Sequence, residues 1–181
     1  MESSLPQTIA LLTNAPVALS ALLRDLPPSL TQHSEGPGTW TATDVILHLI
    51  HNERANWIPR ARLILDHGET RTFTPLDREA TLGMPNTPPL PQLLDEFARL
   101  RTKNLQQLAA LNLTPDDLVR CGRHPNFGPV TLSQLLSAWA AHDLTHLHQL
   151  TRILAHQCRG AVGPYEKFLG VLHCEGHSSP A

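Results

Sequence analysis

The chain lacks the marks of several common protein classes. Cysteine is scarce: Cys121, Cys158 and Cys174 are the three among 181 residues. An odd number with no C-x-x-C pair suits reduced thiols better than a disulfide framework. Lysine and arginine total 14 against 16 aspartates and glutamates, a formal charge of -2. With no basic excess to neutralise a phosphate backbone, nucleic acid is not expected as a partner. No uninterrupted apolar segment approaches the roughly 20 residues that span a bilayer. Met1-Glu2-Ser3-Ser4 also lacks the basic start of a signal peptide. Both point to a cytoplasmic protein without a membrane partner. A Walker loop, a G-x-S-x-G elbow and a G-x-G-x-x-G fingerprint are all missing, which removes several large enzyme classes.

What is present suffices for one compact domain of 19.9 kDa spanning residues 1–181. Hydrophobic residues make up 41% and charged residues 17%, enough apolar surface to offset the conformational entropy of folding. Histidine is abundant, at 11 residues.

Apolar residues recur at helical spacing in four long stretches, and strict alternation is nowhere sustained, so the fold class is all-α. The first helix is expected over about residues 7–24, with Pro16 as a kink or restart and Pro27-Pro28 as its stop. Thr41 or Thr43 caps a second helix reaching about residue 65, with a bend near Pro59. Residues 66–91 lose the period and gather five prolines, which predicts a long loop between the second and third helices. The third helix is expected over residues 92–111, with Leu93, Leu94, Phe97, Leu100, Leu105 and Leu108 buried and Glu96, Arg99, Arg101 and Lys103 solvated. Thr114-Pro115 suggests a short helical turn, and residues 121–130, with Gly122, Pro125, Gly128 and Pro129, a structured loop. Thr131 and Gln134 form a capping box for a fourth helix to about residue 157. Four such helices make a bundle, a fold that builds metal and ligand sites from side chains on facing helices.

His142 and His146 stand at i and i+4 on the fourth helix, about 40° apart around its axis, so both rings can reach one metal ion. A third ligand has to come from a facing element. His48, amid Val45, Ile46, Leu47, Leu49 and Ile50, is the best placed, and His51 one turn later could replace or accompany it. The spacing leaves that choice open, and leaves open that the histidines simply pack.

Three separated segments resemble the DinB/YfiT-like metalloenzymes. They are Trp40-Thr41-Ala42-Thr43-Asp44-Val45-Ile46-Leu47-His48-Leu49, then His142-Asp143-Leu144-Thr145-His146-Leu147-His148-Gln149-Leu150, and the flanks His124-Pro125-Asn126-Phe127-Gly128 and Val162-Gly163-Pro164-Tyr165. Together they run from Trp40 to about Leu172. The resemblance implies a four-helix bundle of that type, usually a homodimer. It also implies a divalent ion, zinc, nickel or iron, on residues matching His48, His142 and His146. Three protein ligands would leave a coordination position open, as in catalytic sites. Characterised relatives include transferases that use low-molecular-weight thiols, so a metal-dependent transferase or hydrolase acting on a small molecule, with a thiol cosubstrate, is expected.

Around that set, Asp44 could accept the second ring N–H of His48, and Gln149, seven residues after His142, returns to the same face. Glu53, Trp57, Trp139 and His124 could line a pocket. Asp143 stands where zinc proteases carry glutamate, but points about 100° from His142, against a protease. His33, His67, His148, His156, His173 and His177 look like exposed or tail residues. Two other readings stand beside the enzyme: a non-catalytic metal-binding or stress-response module, and a purely structural dimerising bundle.

Overall fold

A computed structural model describes residues 4–77, 80 and 86–174. Four long helical arms form the bundle: α1 (Leu5–Leu23), the pair α3 (Ala42–Ala55) and α4 (Trp57–His67), α5 (Leu90–Ala110) and α7 (Leu132–Cys158). Single-turn helices α2 (Pro28–Thr31) and α6 (Pro115–Leu118) sit in the connections, and short 3-10 turns follow α4 and α7. The sequence signals explain the starts. Thr41, Thr114 and Thr131 each accept the backbone N–H three residues on, while Asp44, Asp117 and Gln134 reach back to the cap N–H. Residues 78–79 and 81–85 of the expected long loop, and His177, lie outside the described residues.

Several expectations are corrected. The helix expected from Thr41 to residue 65 is broken at Asn56, where ψ is -72° and α3 hands over to α4. The cause is Pro59: inside a continuous helix its ring would meet the carbonyl of Ala55, whereas in the first turn of α4 its missing N–H has no helical partner to lose. α1 runs unbroken through Pro16. Residues 121–130 are more than a loop, because β1 (Cys121–His124) pairs antiparallel with β2 (Gly128–Thr131). Four-residue strands are too short to show alternation, and Gly128 turns the chain at φ +72°. The hairpin seats on α4 at Gly122, where a Cβ would lie 2.6 Å from Ile64 and 2.8 Å from Phe73. By length and mean hydropathy α1 could cross a membrane, although Gln7, Thr8, Thr13, Asn14 and Ser20 interrupt its apolar residues. Here it buries Leu12, Leu19 and Leu23 against the bundle.

The core falls into two apolar clusters. One gathers Leu19, Leu23, the buried apolar residues of α3 up to Ile50, Leu93, Leu94, Phe97 and Leu100 of α5, and Leu150 and Ile153 of α7. The other gathers Leu12, Trp57 to Ile64 of α4, Leu108, and Leu132 to Ala140 of α7. Between the clusters, α3, α5 and α7 carry buried polar residues: Asn52 and Glu53 on α3, Arg101 and Asn104 on α5, Asp143, His146 and Gln149 on α7. The bundle therefore has a polar layer at mid-height. Arg101, expected in solvent, is 1% exposed within it.

Candidate metal centre

α3 and α7 carry the site. On α7 the 3.6-residue period stacks His142 and His146 one turn apart, and α3 packs against α7 with His48 facing them. The Nε2 atoms converge: His142 Nε2 lies 3.2 Å from His48 Nε2 and 3.1 Å from His146 Nε2. His48 and His146 are buried, and His142 is half-buried. Among the described residues this is the one group of three or more histidine, cysteine, aspartate or glutamate side chains with ligand atoms that close, all within 4.8 Å of one another. His51 is not part of it.

The contacts of His142 Nε2 cannot both be hydrogen bonds. An imidazole nitrogen offers one proton or one lone pair. Moreover, His146 Nδ1 lies 2.8 Å from Gln149 Oε1, an oxygen that can only accept. With the Gln149 amide in this orientation the His146 proton sits on Nδ1, and Nε2 presents a lone pair. Three imidazoles with ligand nitrogens within 4.8 Å of one another are a donor set that fits a cation. The separations of 3.1 and 3.2 Å from His142 Nε2 are short enough for a pair of metal–nitrogen bonds of about 2.0–2.1 Å to span. The donor set thus fits a divalent ion such as zinc, nickel or iron.

Aromatic rings wall the centre. Trp40 lies parallel to His146, with centroids 6.3 Å apart, and 4.9 Å from His48. Trp57 meets His142 edge-on at 5.2 Å and stacks on Trp139 at 5.8 Å. Trp57 thus stands beside His142, while Trp139 is fully buried behind it. Glu53 is buried in the polar layer. Its carboxylate accepts from Trp139 Nε1 at 2.9 Å, from Asn104 Nδ2 at 3.0 Å and from Arg101 at 2.8 Å. Arg101 also donates to both oxygens of Asp143 and to the backbone oxygen of Leu12. Burial works against the Arg101 charge, but the two carboxylates outweigh it and hold the guanidinium above its ordinary value. Burial likewise pushes Asp143 up, to about 6, against the pull of Arg101. Asp143 is therefore committed to the network and not to the imidazoles.

Asp44 does not reach His48 as a proton acceptor. Its Oδ2 accepts from the N–H and hydroxyl of Thr41 at 2.9 and 2.7 Å, the requirement of a helix start. Gln149 does join the site, through His146 rather than His142. His124 belongs to the hairpin, its ring stacked on Phe127 and edge-on to Phe73. Burial, with Arg60 nearby, lowers its pKa. His33, His67, His148 and His173 are exposed and His156 is half-buried. Two contributors escaped the sequence reading. Trp40 lay inside the recognised motif without a role, and Asn52, whose Nδ2 lies 3.0 Å from His48 Nε2, is signalled by its i+4 spacing from His48.

The sequence profile of the DinB superfamily matches residues 11–150, which include all three histidines. Among solved structures, the fold is similar to YfiT from Bacillus subtilis, described as a probable metal-dependent hydrolase with an unusual four-helix bundle topology. The TM-score is 0.73 at 24% identity, covering 87% of this chain and 91% of that one. At that identity the likeness is one of fold. No curated protein matches the chain.

Proposed function

Because the chain belongs to the DinB superfamily and its three imidazoles converge within that fold, we propose that it is a metal-dependent enzyme, loading one divalent ion on His48, His142 and His146. The reaction is transfer or hydrolysis on a small molecule, with a low-molecular-weight thiol as cosubstrate. What carries the reading is His142 Nε2, which stands within 3.2 Å of two other imidazole nitrogens and can share a proton with no more than one of them. A bound ion would supply Lewis acidity, which brings the pKa of water or a thiol toward neutrality.

The protein's own residues do the rest. Gln149 fixes the His146 tautomer, Trp40 and Trp57 hold two rings in place, and half-buried His142 leaves the centre open to a substrate. The likeness to YfiT supports a hydrolytic version, and the thiol version follows from the family resemblance. The same reading takes the active form to be a homodimer, supported by the exposed Leu11 and Leu144 that border a shared apolar groove between α1 and α7. Sedimentation at micromolar concentration tests it.

The deciding experiment is elemental analysis of untagged protein purified without chelator or metal-affinity resin, beside H48A, H142A and H146A. About one ion per chain, lost in each variant, is expected. No ion after reconstitution overturns the reading. Full occupancy with no turnover of esters, amides or thiol-acceptor pairs would favour a non-catalytic metal-binding module.

A further inference from the structure

Asn52 projects from α3 one turn beyond His48, and is 1% exposed. Its orientation is settled by chemistry. The side-chain atom 2.9 Å from the backbone oxygen of His48 must be the nitrogen, because a carbonyl can only accept. The opposite atom, the oxygen, accepts from Asn56 Nδ2 at 2.8 Å, which locks the amide from the far side. One Nδ2 hydrogen is thus committed to the His48 carbonyl. The other faces His48 Nε2 at 3.0 Å, the same lone pair that a metal ion would take.

A lone pair serves one partner at a time. Once a cation occupies it, the second Asn52 hydrogen needs a new acceptor, and a buried donor left without one is costly. The amide is held by two other hydrogen bonds and cannot swing away. The acceptor available is whatever is bound beside the ion at a position the three histidines leave open. On the metal reading given above, we infer that Asn52 donates to an oxyanion held next to the ion, so that the site selects ligands presenting a carboxylate or a polarised carbonyl oxygen. A donor fixed beforehand and aimed where negative charge collects is the arrangement that stabilises such ligands most effectively.

The test uses full-length protein loaded with cobalt(II), whose visible absorption reports coordination, with acetate as the probe. In wild type and N52L, cobalt affinity is measured by chelator competition and acetate affinity by spectral titration. The expected result is near-unchanged cobalt affinity with acetate affinity about 10- to 100-fold weaker in N52L, the value of one hydrogen bond to a charged group. Equal acetate affinity in the two proteins overturns the assignment. So does a loss of cobalt affinity with acetate binding preserved, because Asn52 would then serve to orient His48. If N52L fails to fold by circular dichroism, N52A carries the same comparison. Wild-type protein that takes up no cobalt overturns the metal reading itself, an outcome distinct from the others.

Discussion

Gln149 and His146 are both buried, and the 2.8 Å contact between Oε1 and Nδ1 is where a ring orientation is converted into a ligand. Leucine at 149 would remove the acceptor, free the His146 tautomer and let the ring turn. Metal affinity should fall about 10- to 100-fold in Q149L, the usual effect of losing an outer partner of a ligating histidine. Q149E, which keeps an acceptor oxygen, should retain most of it. Chelator competition on the three proteins checks this, and equal affinity in Q149L would show that His146 is oriented by packing alone. At this scale the i, i+4 pair was legible because helix geometry alone places His142 and His146 together. The role of Asp44 was not, because a carboxylate three residues after a threonine can serve the helix cap or the histidine, and the cap wins through two short bonds to Thr41.

The helices are tied together through Arg101, which joins α5 to α1 at Leu12, to α3 at Glu53 and to α7 at Asp143. Replacing it with methionine would leave two buried carboxylates without a counter-charge. R101M should lose about 3–5 kcal/mol of stability, the effect of breaking a buried pair from one side. R101K, which keeps the charge but cannot span three partners with a planar fork, should lose less. Urea unfolding orders the three proteins, and a stable R101M would mean that the network is dispensable to the fold. Periodicity misplaced this arginine because it reads charge as solvent-facing, and nothing local announces that Glu53 and Asp143 wait on other helices. The bend expected near Pro59 falls three residues earlier, as a break at Asn56, because a proline ring and its missing N–H are best accommodated in the first turn of a new helix.

A second tie between α3 and α5 lies at the surface, where Arg54 and Arg99 both bond Glu96. Hydrogen bonding from Arg99, and then from Arg54, lowers the Glu96 pKa to about 2 from an ordinary 4.5. A carboxylate whose folded value is depressed stabilises fully above its unfolded value, and that contribution disappears as pH falls from about 4.5 towards 2. The pair is solvent-screened, so it is worth about 0.5–1 kcal/mol. E96Q should therefore be slightly less stable than wild type at pH 6 and indistinguishable near pH 2. A stability gap that persists at pH 2 would assign it to packing.

Seen as a whole, the bundle is two apolar halves joined through a polar layer, with the histidines on α3 and α7 at the join. An ion held by His48, His142 and His146 would cross-link helices that are 94 residues apart at their nearest ligand contact. Such a clamp exists in the folded state alone, so it must appear as stability. Free metal at 100 times its dissociation constant adds about 2.7 kcal/mol to unfolding. Ligation also requires neutral imidazole, whose ordinary pKa is about 6.5. The increment should therefore be full at pH 7.5 and shrink as pH falls through about 6, as protons compete for the three ligands. Melting curves of zinc-supplemented and chelator-treated protein at pH 7.5 and 5.5 read this directly: the shift should be several degrees at the higher pH, much smaller at the lower, and absent in H48A at both. An equal shift at both pH values, or one that survives H48A, would place the stabilising ion somewhere other than the join between the halves.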